Sequence, residues 1–170
     1  MMMKRVLIMD TSILCVWLGV TGKETCGPPD DRWDKKRVEE VIRRETKVGT
    51  LFVLPLASII ETGNHIAQSR GDRHTEAQHL ARVMVSSADG KSPWAVFTEQ
   101  RDLWGPDALK SLAATWPDLA KQKLSLGDAT IEEVAKLYER MGHSVEIFTA
   151  DQGLKAREPA RPPPVPRRRR

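Results

Sequence analysis

A chain of 170 residues, 40% of them apolar, can bury one sizeable core, yet no stretch approaches the roughly 18 apolar residues of a membrane helix. Asp10 stops the N-terminal apolar run too early for a signal peptide, and Cys15 and Cys26 are too few for a disulfide framework or a zinc site, so the chain reads as cytoplasmic. The net charge of +4 is local: residues 153–170 carry +6, which leaves −2 for residues 1–152.

Val6 to Met9 is an apolar run without polar alternation, the pattern of a strand buried on both faces. Thr11 or Ser12 can cap a helix that continues to about Leu18. Residues 21–34, rich in Gly, Pro and Asp, read as a solvated loop. Val38, Val41 and Ile42 sit at helical spacing within Lys35 to Lys47, and Gly49 stops that helix. Leu51 to Leu54 is a second buried strand ended by Pro55, with a helix from about Ser58. Arg73 to Val85 predicts an amphipathic helix burying Ala77, Leu80, Ala81, Met84 and Val85. Trp94 to Thr98 predicts a short strand, and Asp107 and Pro117 bracket another helix carrying Leu109, Leu112 and Trp116. Gly127 to Gly142 is a helix with Ile131, Ala135 and Tyr138 inward, and Val145 to Thr149 is the last strand. The domain is expected over residues 1–156. Residues 157–170, dominated by Pro and Arg, are expected to be a disordered basic tail that contacts phosphates.

Strands alternating with helices predict parallel pairing in a three-layer α/β/α sandwich. Such a sheet gathers strand C-termini and helix N-termini at one edge, where open α/β sheets place their ligand sites. Four acids fall there. Asp10 follows the first strand, Glu61 lies early in the helix after the second, Asp128 opens the Gly127 helix, and Asp151 follows the last strand. Each has a plain structural alternative: Asp10 a cap, Ser58 and Glu61 a capping box, Asp128 a helix-dipole partner, Asp151 an Asx turn. Independent caps have no reason to meet in space, however. Four clustered carboxylates need a counter-charge, and an all-oxygen shell favours Mg²⁺ or Mn²⁺, ions suited to phosphoryl chemistry.

Val6-Leu7-Ile8-Met9-Asp10-Thr11-Ser12, Ser58-Ile59-Ile60-Glu61, Leu126-Gly127-Asp128-Ala129-Thr130-Ile131 and Phe148-Thr149-Ala150-Asp151 resemble, in order, the four acidic motifs of PIN domains. Within that family the resemblance is to VapC-type toxins of toxin–antitoxin pairs. It covers residues 4–155, and only the four motifs are specific. The resemblance implies a PIN-like fold and a metal-dependent ribonuclease, with Asp10, Glu61, Asp128 and Asp151 as metal ligands and catalytic residues. Thr11, Ser12 and Thr149 would line the site in support. RNA is the implied substrate, with a cognate antitoxin and a second copy of the chain as candidate partners and no membrane. The loop at 21–34, the stretch 86–120 and the basic tail look like additions to the compact toxin pattern, so a PIN nuclease of RNA processing or defence is an alternative setting.

Other signals are weaker. Asn64, His65, His74 and His79 read as surface residues, and the six cations of the Lys35–Lys47 helix as a solvated face. Trp33, Trp94 and Trp104 offer stacking surfaces for bases, though tryptophan more often packs in a core. Two further readings compete. A haloacid-dehalogenase-type phosphatase needs a second acid where Ser12 stands. A non-catalytic PIN module that binds RNA or a partner has no use for all four acids.

Overall fold

The computed structural model describes residues 2–160. Three parallel strands form the central sheet: β1 (Arg5–Met9) lies between β4 (Leu51–Val53) and β5 (Ser144–Phe148). Val6 pairs with Leu51 and Val145, and Ile8 with Val53 and Ile147. Side chains alternate across a strand, so β1 sends Leu7 and Met9 to one face and Val6 and Ile8 to the other. Both faces are covered. Leu7, Met9, Phe52 and Phe148 pack under α1 (Thr11–Leu18), α2 (Lys35–Lys47) and α4 (Arg73–Ala88), which contribute Ile13, Leu14, Val38, Leu80 and Val83. Val6, Ile8, Val53, Val145 and Ile147 pack under α6 (Leu126–Arg140) through Ile131, Val134, Ala135 and Tyr138. This is a three-layered α/β arrangement with a parallel sheet, as the strand–helix alternation predicts.

Several elements differ from expectation. The loop at 21–34 contains a small antiparallel hairpin, β2 (Thr25–Cys26) and β3 (Trp33–Asp34), whose strands are too short to leave a periodic trace. The strand expected at Trp94–Thr98 is a single parallel bridge from Trp94 to Phe52. The chain then turns into a 3₁₀ helix (Phe97–Trp104), where buried Gln100 donates its amide to Leu54 O at 3.0 Å. The helix expected to stop at Pro117 runs through it, as α5 (Pro106–Lys121); no residue of α5 is buried, so solvent can satisfy the carbonyl that Pro117 leaves without a donor.

α3 (Leu56–Ala67) begins earlier than Ser58, and α4 is rotated from the predicted stripe. Glu76, Leu80, Val83 and Ser87 are its buried residues, while Met84 and Val85 are 41% and 61% exposed. Glu76 accepts two hydrogen bonds from Thr21, and these hold the rotation.

After β5 the chain forms a short helix, α7 (Gln152–Lys155), and its contacts continue past the expected boundary at 156. Arg157 Nε meets Glu132 Oε2 at 2.8 Å, and Glu158 accepts the Ile147 N–H at 3.1 Å. Lys155 Nζ donates to Ile147 O at 3.1 Å, so both peptide groups of that residue are taken. The remainder of the expected tail, 161–170, lies outside the described residues.

Candidate functional site

The four acids reach one cleft from four elements; Asp10 and Glu61 are free of the structural duty first open to them, while Asp128 keeps the first-turn position of a helix-dipole partner on α6. Asp10 follows β1, and its N–H donates to Phe148 O at 3.1 Å, extending the β1–β5 pairing. It holds the N-cap position of α1, but its side chain makes no capping bond. Instead Oδ2 accepts from Ser12 Oγ at 2.8 Å and from Thr149 Oγ1 at 2.6 Å. Those hydroxyls in turn accept from the N–H groups of Ala150 (3.3 Å) and Asp151 (3.0 Å). With its lone pairs so engaged, each hydroxyl directs its proton to Asp10. The carboxylate is only 5% exposed and is rigidly aimed.

Glu61 is not part of a capping box. Pro55 occupies the N-cap of α3, and Ser58 is fully buried, its hydroxyl donating to Met9 O at 2.7 Å. That bond fastens α3 to the end of β1. Glu61 is left to accept from Thr11 Oγ1 at 2.8 Å, and its carboxylate lies directly over Gly127, where any Cβ would collide with it. A side chain at 127 would therefore displace the Glu61 carboxylate from its present position.

Asp128 does not cap α6. Ser125 does, its Oγ accepting the Asp128 N–H at 3.0 Å. Burial pushes the Asp128 carboxyl up to about 6, and the charges of Asp10, Asp151 and Glu61 push the same way against the Ser125 contact. Asp151 is the exception: it is exposed, and Oδ1 caps α7 by accepting the Leu154 N–H at 3.0 Å.

All four acids, with Thr11 and Ser12, line a cleft of about 310 Å³. Its oxygen donors suit a hard divalent cation rather than a soft one. As the side chains stand, no three His, Cys, Asp or Glu among the described residues converge closely enough to hold a metal ion together. Thr149 is not a lining residue; it acts from behind Asp10.

The cleft also contains residues that sequence reasoning did not place there. Cys15, Cys26, Lys23 and His65 line it. Both cysteines are free; burial pushes the Cys26 thiol up, with Asp10 adding, and Cys15 to about 11, so neither is a thiolate at neutral pH. Burial, then the charge of Lys23, lowers the His65 imidazole. Periodicity places His65 on an outer helix face, and only the packing of α3 beside α1 turns it toward the cleft. Asn64 and His74 are exposed, as expected, while His79 is half-buried with Nδ1 3.2 Å from Leu18 O.

A larger cavity, about 550 Å³, lies between α5, α6 and the 3₁₀ helix, but none of the four acids reaches it. Of Trp33, Trp94 and Trp104 only Trp104 is exposed, and it lines this larger cavity rather than the acid cleft. Trp94 is buried, and Trp33 packs its ring against Phe148 with the Arg37 guanidinium 3.7 Å over its face. The α2 cations are partly paired: Arg37 with Asp31 at 2.7 Å and Arg44 with Glu45 at 3.4 Å.

A second group of acids, Glu45 of α2 and Glu146 of β5, meets at Arg5 of β1 and is built differently. Glu45 accepts from Arg5 at 2.9 Å and Thr50 Oγ1 at 2.7 Å, and Glu146 meets both Arg5 and Lys155. Burial opposes ionisation of both, yet Thr50 and Arg5 hold Glu45, and Lys155 and Arg5 hold Glu146, below the usual carboxylate range.

Among the described residues no helix is long and apolar enough to cross a membrane. No protein-family model, curated protein or solved structure matches this chain.

Proposed function

We propose that the protein is a PIN-like ribonuclease that hydrolyses RNA phosphodiesters with Mg²⁺ or Mn²⁺ bound at Asp10, Glu61, Asp128 and Asp151. One observation carries this reading: four carboxylates from four separate elements line one cleft, and three of them cap nothing. When bound, such an ion supplies an activated water and stabilises charge on the reacting phosphate oxygens.

The chain's own residues prepare that chemistry. Ser12 and Thr149 fix the orientation of Asp10, and Thr11 that of Glu61. Gly127 leaves the space Glu61 needs. Burial first, and then the charges of Asp10, Asp151 and Glu61, raise the proton affinity of Asp128, and a bound cation would offset both.

Purified protein should cleave RNA in Mg²⁺ or Mn²⁺, stop in EDTA, and leave 3′-hydroxyl and 5′-phosphate ends. Cleavage that persists in EDTA, or 2′,3′-cyclic phosphate products, would rule out the metal–water mechanism. RNA binding without cleavage in Mg²⁺ is what a non-catalytic module gives instead. The toxin setting and its antitoxin partner rest on the motif resemblance alone; an adjacent gene for a small DNA-binding protein is the observation that tests them.

A further inference from the structure

Lys23 lines the same cleft as the four acids and is the one Lys or Arg among the described residues to do so. His65 of α3 and Cys15 of α1 line the cleft with it. Among the described residues it forms no ion pair, although four carboxylates line the same space.

The exposed turn that carries Lys23 is held with unusual care. Val20 N–H donates to Cys15 O at 3.0 Å, and Lys23 N–H to Val20 O at 2.9 Å. Thr21 gives both its N–H (3.0 Å) and its hydroxyl (2.6 Å) to Glu76 Oε1. Gly22 between them has φ +86°, a conformation that side chains resist. Glu76 is 6% exposed, and its second carboxylate oxygen is buried without a partner. Burial opposes its ionisation, yet the Thr21 hydroxyl and N–H, with the Ser69 hydroxyl, hold its carboxyl below the usual carboxylate range. Across from it, a Cβ at Gly71 would collide with Thr21 and Glu76, which closes the clamp.

A cleft of carboxylates repels the phosphate backbone that it is to cut. A cation displaced from the acids supplies an attractive contact and, lying to one side, sets the direction of the strand. We propose that Lys23 is the phosphate anchor of this cleft, its ammonium binding a nonbridging phosphate oxygen of RNA laid across the four acids, with the Thr21–Glu76 bonds holding it in place. The proposal deepens the ribonuclease reading and rests on it.

Two measurements test it. Binding of a labelled single-stranded oligoribonucleotide is followed by fluorescence anisotropy in Mg²⁺, in an Asp128→Asn background. Cleavage kinetics are followed on the otherwise wild-type chain. Lys23→Gln should weaken binding about tenfold and raise KM similarly, with kcat within about twofold. It should also lower the slope of log affinity against log salt by about 0.7, the signature of one lost phosphate contact on a single strand. Lys23→Arg should restore that slope. Wild-type affinity and salt slope in Lys23→Gln would overturn the anchor. Failure of the wild-type chain to cleave in Mg²⁺ is a separate result: it removes the nuclease reading, while the binding arm still decides the contact.

Discussion

The sheet carries two groups of carboxylates, and they differ in what answers their charge. At the start of β1 and along β5, Glu45 of α2 and Glu146 each meet cations, Arg5 for both and Lys155 for Glu146. At the C-terminal ends of the same strands, Asp10 and Glu61 are answered by the hydroxyls of Ser12, Thr149 and Thr11, and Asp128 by no cation at all. The first arrangement lowers proton affinity and ties elements together. The second aims carboxylates into a cleft and leaves their repulsion standing. Neutral hydroxyls orient a charge without neutralising it, which keeps it available to a ligand.

The strongest attempt to break this contrast uses activity. Asp10→Asn and Asp128→Asn should each lower RNA cleavage on the order of 100-fold or more, the scale at which lost electrostatic stabilisation is felt. Glu45→Gln, at an acid as buried as Asp10, should leave the rate per folded molecule unchanged. Equal losses in all three would erase the distinction.

Stability should show the reverse order. Arg5→Ala strands Glu45 in the interior with Thr50 as its remaining close donor besides Arg44, and should cost about 1.5–3 kcal/mol in denaturant melts. Asp128→Asn in EDTA should instead be neutral or stabilising at pH 7. The pH dependence separates them further. Asp128 has a folded value near 6, above its unfolded one, so its contribution is full below about pH 4 and is lost as pH rises through 6. After allowance for screening, that loss is about 1–2 kcal/mol. Glu45 and Glu146 are depressed, so their contribution is present above their ordinary values and disappears as pH falls through the lower folded ones. The stability difference between wild type and Asp128→Asn in EDTA should fall between pH 4 and 6, and a flat difference would remove the raised proton affinity of Asp128.

Metal should sharpen the contrast. Wild type is expected to gain about 2.7 kcal/mol at a Mg²⁺ excess of a hundredfold over Kd. Asp10→Asn and Asp128→Asn should gain clearly less, and Glu45→Gln the full amount. Equal shifts in all of them would mean that the C-terminal acids are not ligands.

The smallest effect concerns the basic segment. Residues 161–170 add five arginines, and their removal should leave the melting temperature unchanged and weaken RNA binding a few-fold at low salt. The cut belongs after residue 160, because Arg157 and Glu158 are tied to Glu132 and Lys155.

The readable parts of the sequence were those with long or directional signals. Val6 to Met9 has no polar residue, and Ile131, Ala135 and Tyr138 keep one helical stripe, so β1 and α6 were legible along with the acids at their ends. Ser58 and Glu61 were misleading, because S-x-x-E describes a capping box equally well. What separates the two readings is a tertiary bond from Ser58 to Met9 O, which local spacing cannot contain. α4 failed for a related reason, since a buried Glu76 turned the helix away from its most apolar face. Lys23 and His65 left no pattern because the cleft, not the chain, brings them together.

The side chains that occupy both peptide groups of Ile147 have a consequence for self-association. β5 is one of the two outer strands of the sheet, and Glu158 and Lys155 sit where a further strand would make its bonds to Ile147. Two charged groups thus act as a stopper against strand-to-strand aggregation, and any addition there would have to strip them from the backbone while burying their charge. The last described turns of the chain therefore guard its solubility as well as completing its packing.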